Sequence, residues 1–147
     1  LSARTAASGR FATPPPAELA RKLVGAWRID AALREGKWVS RREVGLERDV
    51  EFRADGTLQS YLSTGRWDGV YQTSPGDGCT DVLLSLGKDA EYTFICSVAF
   101  EGDAMLITTW ERTEFVPQRY IKSVADARRQ GSGLDRYYRI EKFAEEK

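Results

Sequence analysis

This chain contains no histidine, so the side chains able to do chemistry are its carboxylates, arginines, tyrosines and cysteines. Histidine is the commonest general base near neutral pH and the commonest zinc ligand; its absence excludes catalytic triads and histidine metal sites. A pair of facing carboxylates could serve instead, one as acid and one as base. Asp30, Glu47, Glu51, Asp68, Asp81 and Glu91 supply the acids, but no two stand at a spacing that marks such a pair. Gly76-Asp77-Gly78 is a turn and not a phosphate cradle, because no Gly-Lys-Ser or Gly-Lys-Thr follows it. The expectation is a protein that binds without converting: no enzyme, no metal and no cofactor.

Binding chemistry has more material. Four Trp, six Tyr and six Phe fall mostly in segments that alternate as strands do. Trp38, Tyr61 and Trp110 lie where neighbours alternate with polar groups and are candidate walls of an apolar pocket; Tyr92 and Phe94 join them. Tyr71, Tyr92 and Tyr120 could place hydroxyls near a cavity mouth. The same rings could equally be plain core. Arg28, Arg66 and Arg112 are the candidates for gripping a carboxylate head group through two parallel hydrogen bonds. The charge-rich stretches Arg41-Arg42-Glu43 and Arg48-Asp49-Glu51 could meet an acidic ligand or partner, or simply form a solvated outer strand.

These side chains must be positioned by a single domain, since 147 residues suffice for one core and not two. With 22 basic and 22 acidic groups the formal charge is zero, which argues against electrostatic capture of nucleic acid, since that requires clustered cations. No apolar run reaches the length of a transmembrane helix. Residues 1–14 are rich in Ala, Ser, Thr and Pro and read as a flexible arm before a domain spanning 15–147. A chain that opens on Leu1 with such a segment is what cleavage of an export signal leaves, so a periplasmic or secreted location is expected. Cys79 and Cys96 suit a disulfide there or buried thiols elsewhere.

The positioning elements are mainly strands. A short helix with Leu19, Leu23 and Val24 on one face precedes Gly25. Strand patterns then cover 26–33, 37–52, 57–63, 67–73, 81–86, 91–100, 104–112, 115–121 and 134–143, separated by glycine-containing turns. In Arg53-Ala54-Asp55-Gly56-Thr57, a left-handed Gly56 would pair Phe52 with Leu58 and put Val50, Phe52, Leu58 and Leu62 on one face. Ser123 is placed to cap a second helix over 124–130, with Asp126 at its third position and Gly131 beyond its end. A two-residue turn at Gly87-Lys88 would set Cys79 opposite Cys96, close enough for a bridge. A longer loop would put Val82, Leu84 and Leu86 on the Phe94 face and Cys79 out of line; both registers stay open.

Leu23-Val24-Gly25-Ala26-Trp27 resembles the LxGxW opening of lipocalin-like domains. Phe52-Arg53-Ala54-Asp55-Gly56-Thr57 resembles the FxxDGT hairpin of their bacterial members, and Gly65-Arg66-Trp67 the GxW segment that follows. The resemblance covers about half the domain. It implies an all-β fold: a single antiparallel up-and-down β-barrel of eight to nine strands, with a short N-terminal helix and a short helix before the last strand. It also implies that Trp27 and Trp67 plug barrel ends, and that Arg136 or Arg139 packs on Trp27 through a cation–π contact. Such a barrel can hold a small hydrophobic or aromatic ligand. The alternative is a filled barrel serving as a protein-interaction module, an inhibitor or immunity-type factor.

Overall fold

The computed structural model describes residues 12–62, 65–76, 78–117 and 120–141. Its elements are α1 (Ala17–Leu23), β1 (Gly25–Arg34), β2 (Lys37–Ser40), α2 (Arg41–Val44), β3 (Arg48–Phe52), β4 (Thr57–Leu62), β5 (Gly65–Gly76), β6 (Cys79–Leu86), β7 (Tyr92–Glu101), β8 (Ala104–Thr108), β9 (Glu111–Arg112), α3 (Val124–Gln130) and β10 (Leu134–Ile140). Eight strands close in the order β1-β3-β4-β5-β6-β7-β8-β10, all antiparallel, and β10 returns to pair with β1. The closing ladder runs from Ala26 opposite Ile140 to Leu33 opposite Leu134, with a bulge between Ile29 and Ala31. Two strands lie outside the ring: β2 adds to β1, and β9 pairs with β7 beyond the end of β8.

Strand alternation decides what fills the barrel. Trp27, Ile29, Val50, Phe52, Leu58, Tyr71, Val82, Leu84, Leu86, Cys96, Val98, Met105, Ile107 and Tyr137 meet inside as one buried core. The turn expected at Asp55-Gly56 forms: Phe52 pairs with Leu58, and Asp55 Oδ1 accepts from the Thr57 amide at 3.0 Å and its hydroxyl at 2.7 Å. Gly56 has φ +90°, and a Cβ there would strike the backbone of Thr13. Bare glycine thus lets the segment before α1 lie against this hairpin.

The second helix also matches expectation. Ser123 and Asp126 bond each other's backbone amides in a capping box, and Gly131 follows the last turn; such a cap contributes about 1 kcal/mol. Val124 and Ala127 of α3 bury against Leu33, Leu106 and Leu134 on the outer barrel wall, with Trp38 and Ala99 at the margin. That outer cluster explains why β8 alternates poorly in sequence: Met105 and Ile107 point inward while Leu106 faces the helix.

Three strand readings are corrected, and one open register is decided. The run 104–112 is two strands, β8 and β9, parted at Thr109 and Trp110. The run 37–52 is two strands, because Ser40 caps a single helical turn by accepting from the Glu43 amide at 3.3 Å. Residues 115–117 and 120–121 are not a strand; a 3-10 turn spans Thr113–Phe115, and Pro117 has no amide to give a ladder. The β6–β7 loop runs from Gly87 to Glu91, pairing Leu86 with Tyr92 and Val82 with Cys96. Cys79 pairs instead with Gly76 of β5. Being of opposite parity on facing strands of this register, the two thiols lie on opposite sides of the sheet and are not bridged.

The two ends differ. At the lower end α1 packs Leu19 and Leu23 against the core, Leu23 is fully buried, and Trp27 Nε1 donates to the Leu23 carbonyl at 2.9 Å. The upper end is framed by the opposite termini of the same strands, where Arg48, Leu62, Trp67, Leu86 and Phe94 stand on the inner parity.

Candidate functional site

The upper end gathers the polar chemistry of the interior. Arg48 opens β3 two and four residues before Val50 and Phe52, so the alternation that buries them turns its side chain inward as well. Its guanidinium carbon lies 5.1 Å from the centroid of the Trp110 ring. Asp135, on β10, offers the nearest carboxylate: Oδ2 is 3.8 Å from Arg48 Nη1, an ion-pair separation longer than a hydrogen bond. The Tyr137 hydroxyl, fully buried, stands beside the same guanidinium as its polar neighbour.

Electrostatics follow from this enclosure. Burial pushes the Asp135 carboxyl above the usual carboxylate range, and the attraction of Arg48 and Arg34 does not cancel the effect. For Arg48 the balance is reversed: burial pulls its pKa down, but Tyr137, Asp135 and Cys96 together raise it, so the cation persists. Burial raises the Cys96 thiol, and the nearby Asp81 charge adds to it, against the opposing pull of Arg48. The Tyr137 phenol is likewise raised by burial. Thiol and phenol therefore stay protonated at neutral pH. The cluster can hold hydrogen-bonding groups and is poorly suited to moving protons or to thiolate attack.

Around this cluster stand rings. Phe94 and Trp110 are 6.0 Å apart between centroids, and Trp67 meets Tyr92 edge-on at 5.6 Å. Trp67, Phe94 and Trp110 pack on the core while only partly buried, as does Leu46. Arg112 pairs with Phe94 across β9 and β7, lies 5.7 Å from the Tyr92 ring, and forms an ion pair with Glu114.

Of the residues singled out in sequence, Tyr92, Phe94, Trp110 and Arg112 thus assemble at the upper end, together with Trp67. Trp38, Tyr61 and Arg66 do not. Trp38 lies on the outer wall near α3, with the Arg136 guanidinium 4.8 Å from its ring. Tyr61 and Arg66 face each other across β4 and β5 on the outer surface, Arg66 Nη1 standing 3.4 Å from the Tyr61 hydroxyl. Arg28, also outside, holds Asp49 through bonds of 3.0 and 2.8 Å. Tyr71 spends its hydroxyl on the Arg53 carbonyl at 2.7 Å, and burial raises its pKa to about 12.

Asp135 and Tyr137 are the residues that sequence reasoning missed, and Arg48 stood out only as one member of a charged stretch. The signal for Arg48 was present in its parity with Val50 and Phe52, but its charged neighbours gave the look of a solvent-facing strand. Among the described residues no group of His, Cys, Asp and Glu is placed to hold a metal ion, and no helix is long and apolar enough to cross a membrane. Fold and site define a closed antiparallel barrel with a short helix packed beside one end and aromatic rings with an inward-facing arginine at the other. No protein-family model, curated protein or solved structure matches this chain.

Proposed function

We propose that this protein is a lipocalin-like, non-enzymatic carrier that takes a small hydrophobic or aromatic molecule into the upper end of its barrel. The observation that carries this reading is the partly buried ring set Trp67, Phe94 and Trp110 at the barrel end where Arg48 faces inward and lies against Trp110. Apolar surface removed from water there would supply roughly 25 cal/mol per Å², and a few polar groups would fix orientation. Export belongs to the same proposal, and fractionation of the source cells tests it.

Native mass spectrometry of gently purified protein, followed by denaturing extraction, is the test. A stoichiometric apolar molecule supports the carrier. Protein that arrives empty, and whose tryptophan fluorescence ignores a panel of aromatic and aliphatic probes, overturns it.

A second reading, a protein-interaction module, has its own support. Phe115 is 76% exposed, Tyr120 58% and Tyr92 38%, which is much apolar surface for a wet loop region to leave in water. An empty barrel that forms a complex dependent on Phe115 and Tyr120 would favour that reading.

A further inference from the structure

The upper end holds more hydrogen-bond donors than acceptors. Arg48 presents a fork of N–H groups whose nearest carboxylate oxygen is 3.8 Å away. Trp110 Nε1 and the hydroxyl of Ser60 are buried without a partner, and the Tyr137 hydroxyl, in a fully buried residue on an inner strand face, has Arg48 as its polar neighbour. Guanidinium and indole can only donate, and a hydroxyl can do either. Against them stands Asp135, at ion-pair distance from Arg48.

Buried donors seek acceptors. We propose, building on the carrier reading, that the ligand bears a carboxylate on an aromatic or branched apolar body and enters head first, its oxygens taking N–H groups of Arg48 while the body rests against Trp110, Phe94 and Trp67. A carboxylate suits this place for three reasons. Its two oxygens match the planar fork of arginine. Its single charge is what one cation can balance; a phosphate would bring more. Its remaining lone pairs can accept from the hydroxyl of Tyr137 or from the indole of Trp110, which the protein itself leaves without an acceptor. Asp135 sits too far from the fork to occupy it, and the aromatic wall keeps the pair partly out of water, where a charge-assisted bond is stronger.

The test uses the full chain and a matched pair of probes, naphthoate and the isosteric naphthamide, titrated by tryptophan fluorescence and by calorimetry. The acid should bind about tenfold or more tightly than the amide. In Arg48→Met that ratio should collapse to near one; in Arg48→Lys, which keeps the charge and loses the fork, it should fall between. Equal binding of acid and amide to the parent protein, or an unchanged ratio in Arg48→Met, overturns the head-group assignment and leaves the carrier standing. Failure of the parent to bind either probe, or any other aromatic acid or neutral molecule, overturns the carrier and the assignment with it. Should Arg48→Met not fold, the ratio in the parent protein decides alone.

Discussion

The Arg139 guanidinium lies over Trp27, its central carbon 4.3 Å from the ring centroid. The same group donates to the carbonyls of Val24 at 2.7 Å and Lys22 at 2.8 Å. One side chain of the last strand thereby ties together the first strand, the end of α1 and the barrel closure. Between the two arginines left open by the sequence, this geometry assigns the contact to Arg139. Arg136 instead packs against Trp38 and Tyr138 on the outer wall and bonds Asp30 at 2.9 Å.

Replacing Arg139 should therefore cost more than replacing Arg136. Arg139→Ala loses a cation–π contact and two charge-assisted bonds at a partly exposed site and should destabilise by about 1–3 kcal/mol. Arg139→Lys should recover part of this. Urea unfolding followed by tryptophan fluorescence measures it; an Arg139→Ala midpoint equal to that of the parent would remove the contact from the account of barrel closure.

Gly56 and Gly102 separate backbone strain from collision. Both have positive φ, +90° and +58°, but a Cβ at Gly102 meets nothing within 4 Å whereas one at Gly56 strikes the Thr13 backbone. Each alanine variant should lose about 1 kcal/mol through backbone conformation, and Gly56→Ala should lose more. Thermal melts of the two variants compare them directly, and equal losses would mean that Thr13 does not rest on the hairpin.

Asp135 predicts a dependence on pH. Its carboxyl is raised in the folded protein by burial, against the pull of Arg48 and Arg34, so the folded chain holds this proton at pH values where the unfolded chain has released it. By linkage, this residue's stabilising contribution is complete below the ordinary carboxylate pKa and is lost as pH rises through the folded value. In Asp135→Asn that component of the slope should vanish. Without histidine, no such side chain obscures the comparison. Melting temperatures across the acidic range test it, and parallel curves for parent and variant would refute it.

The cysteines should be reduced and unequal. Cys96 is fully buried and its thiol raised, so it should react with iodoacetamide only on unfolding. Denatured, unreduced protein should take up two alkyl groups. A mass showing none would require a β6–β7 register different from the observed one.

Much of the fold was legible because short-range physics wrote it. The Asp55-Gly56 turn, the Ser123 cap and the alternation of Tyr92 to Phe100 each state their geometry locally. What escaped was set by distant partners. The α2 turn hides inside a charged stretch, and the length of the Gly87–Glu91 loop depends on how β6 meets β7. The site was half legible: Tyr92 and Phe94 announce themselves as strand aromatics and Trp110 as an aromatic beside them, though it lies between β8 and β9, while Asp135 and Tyr137 gain their character only from facing Arg48 across a closed barrel. Trp38 and Tyr61 misled for the converse reason, since alternation gives a face without saying which side of the sheet is inside.

The closure of β10 on β1 pairs Ile140 with Ala26, and Thr13 lies against the hairpin at the same end. The described chain thus enters and leaves beside α1, away from Arg48. An attachment to a surface made at either of these points would leave the aromatic end of the barrel facing away from that surface.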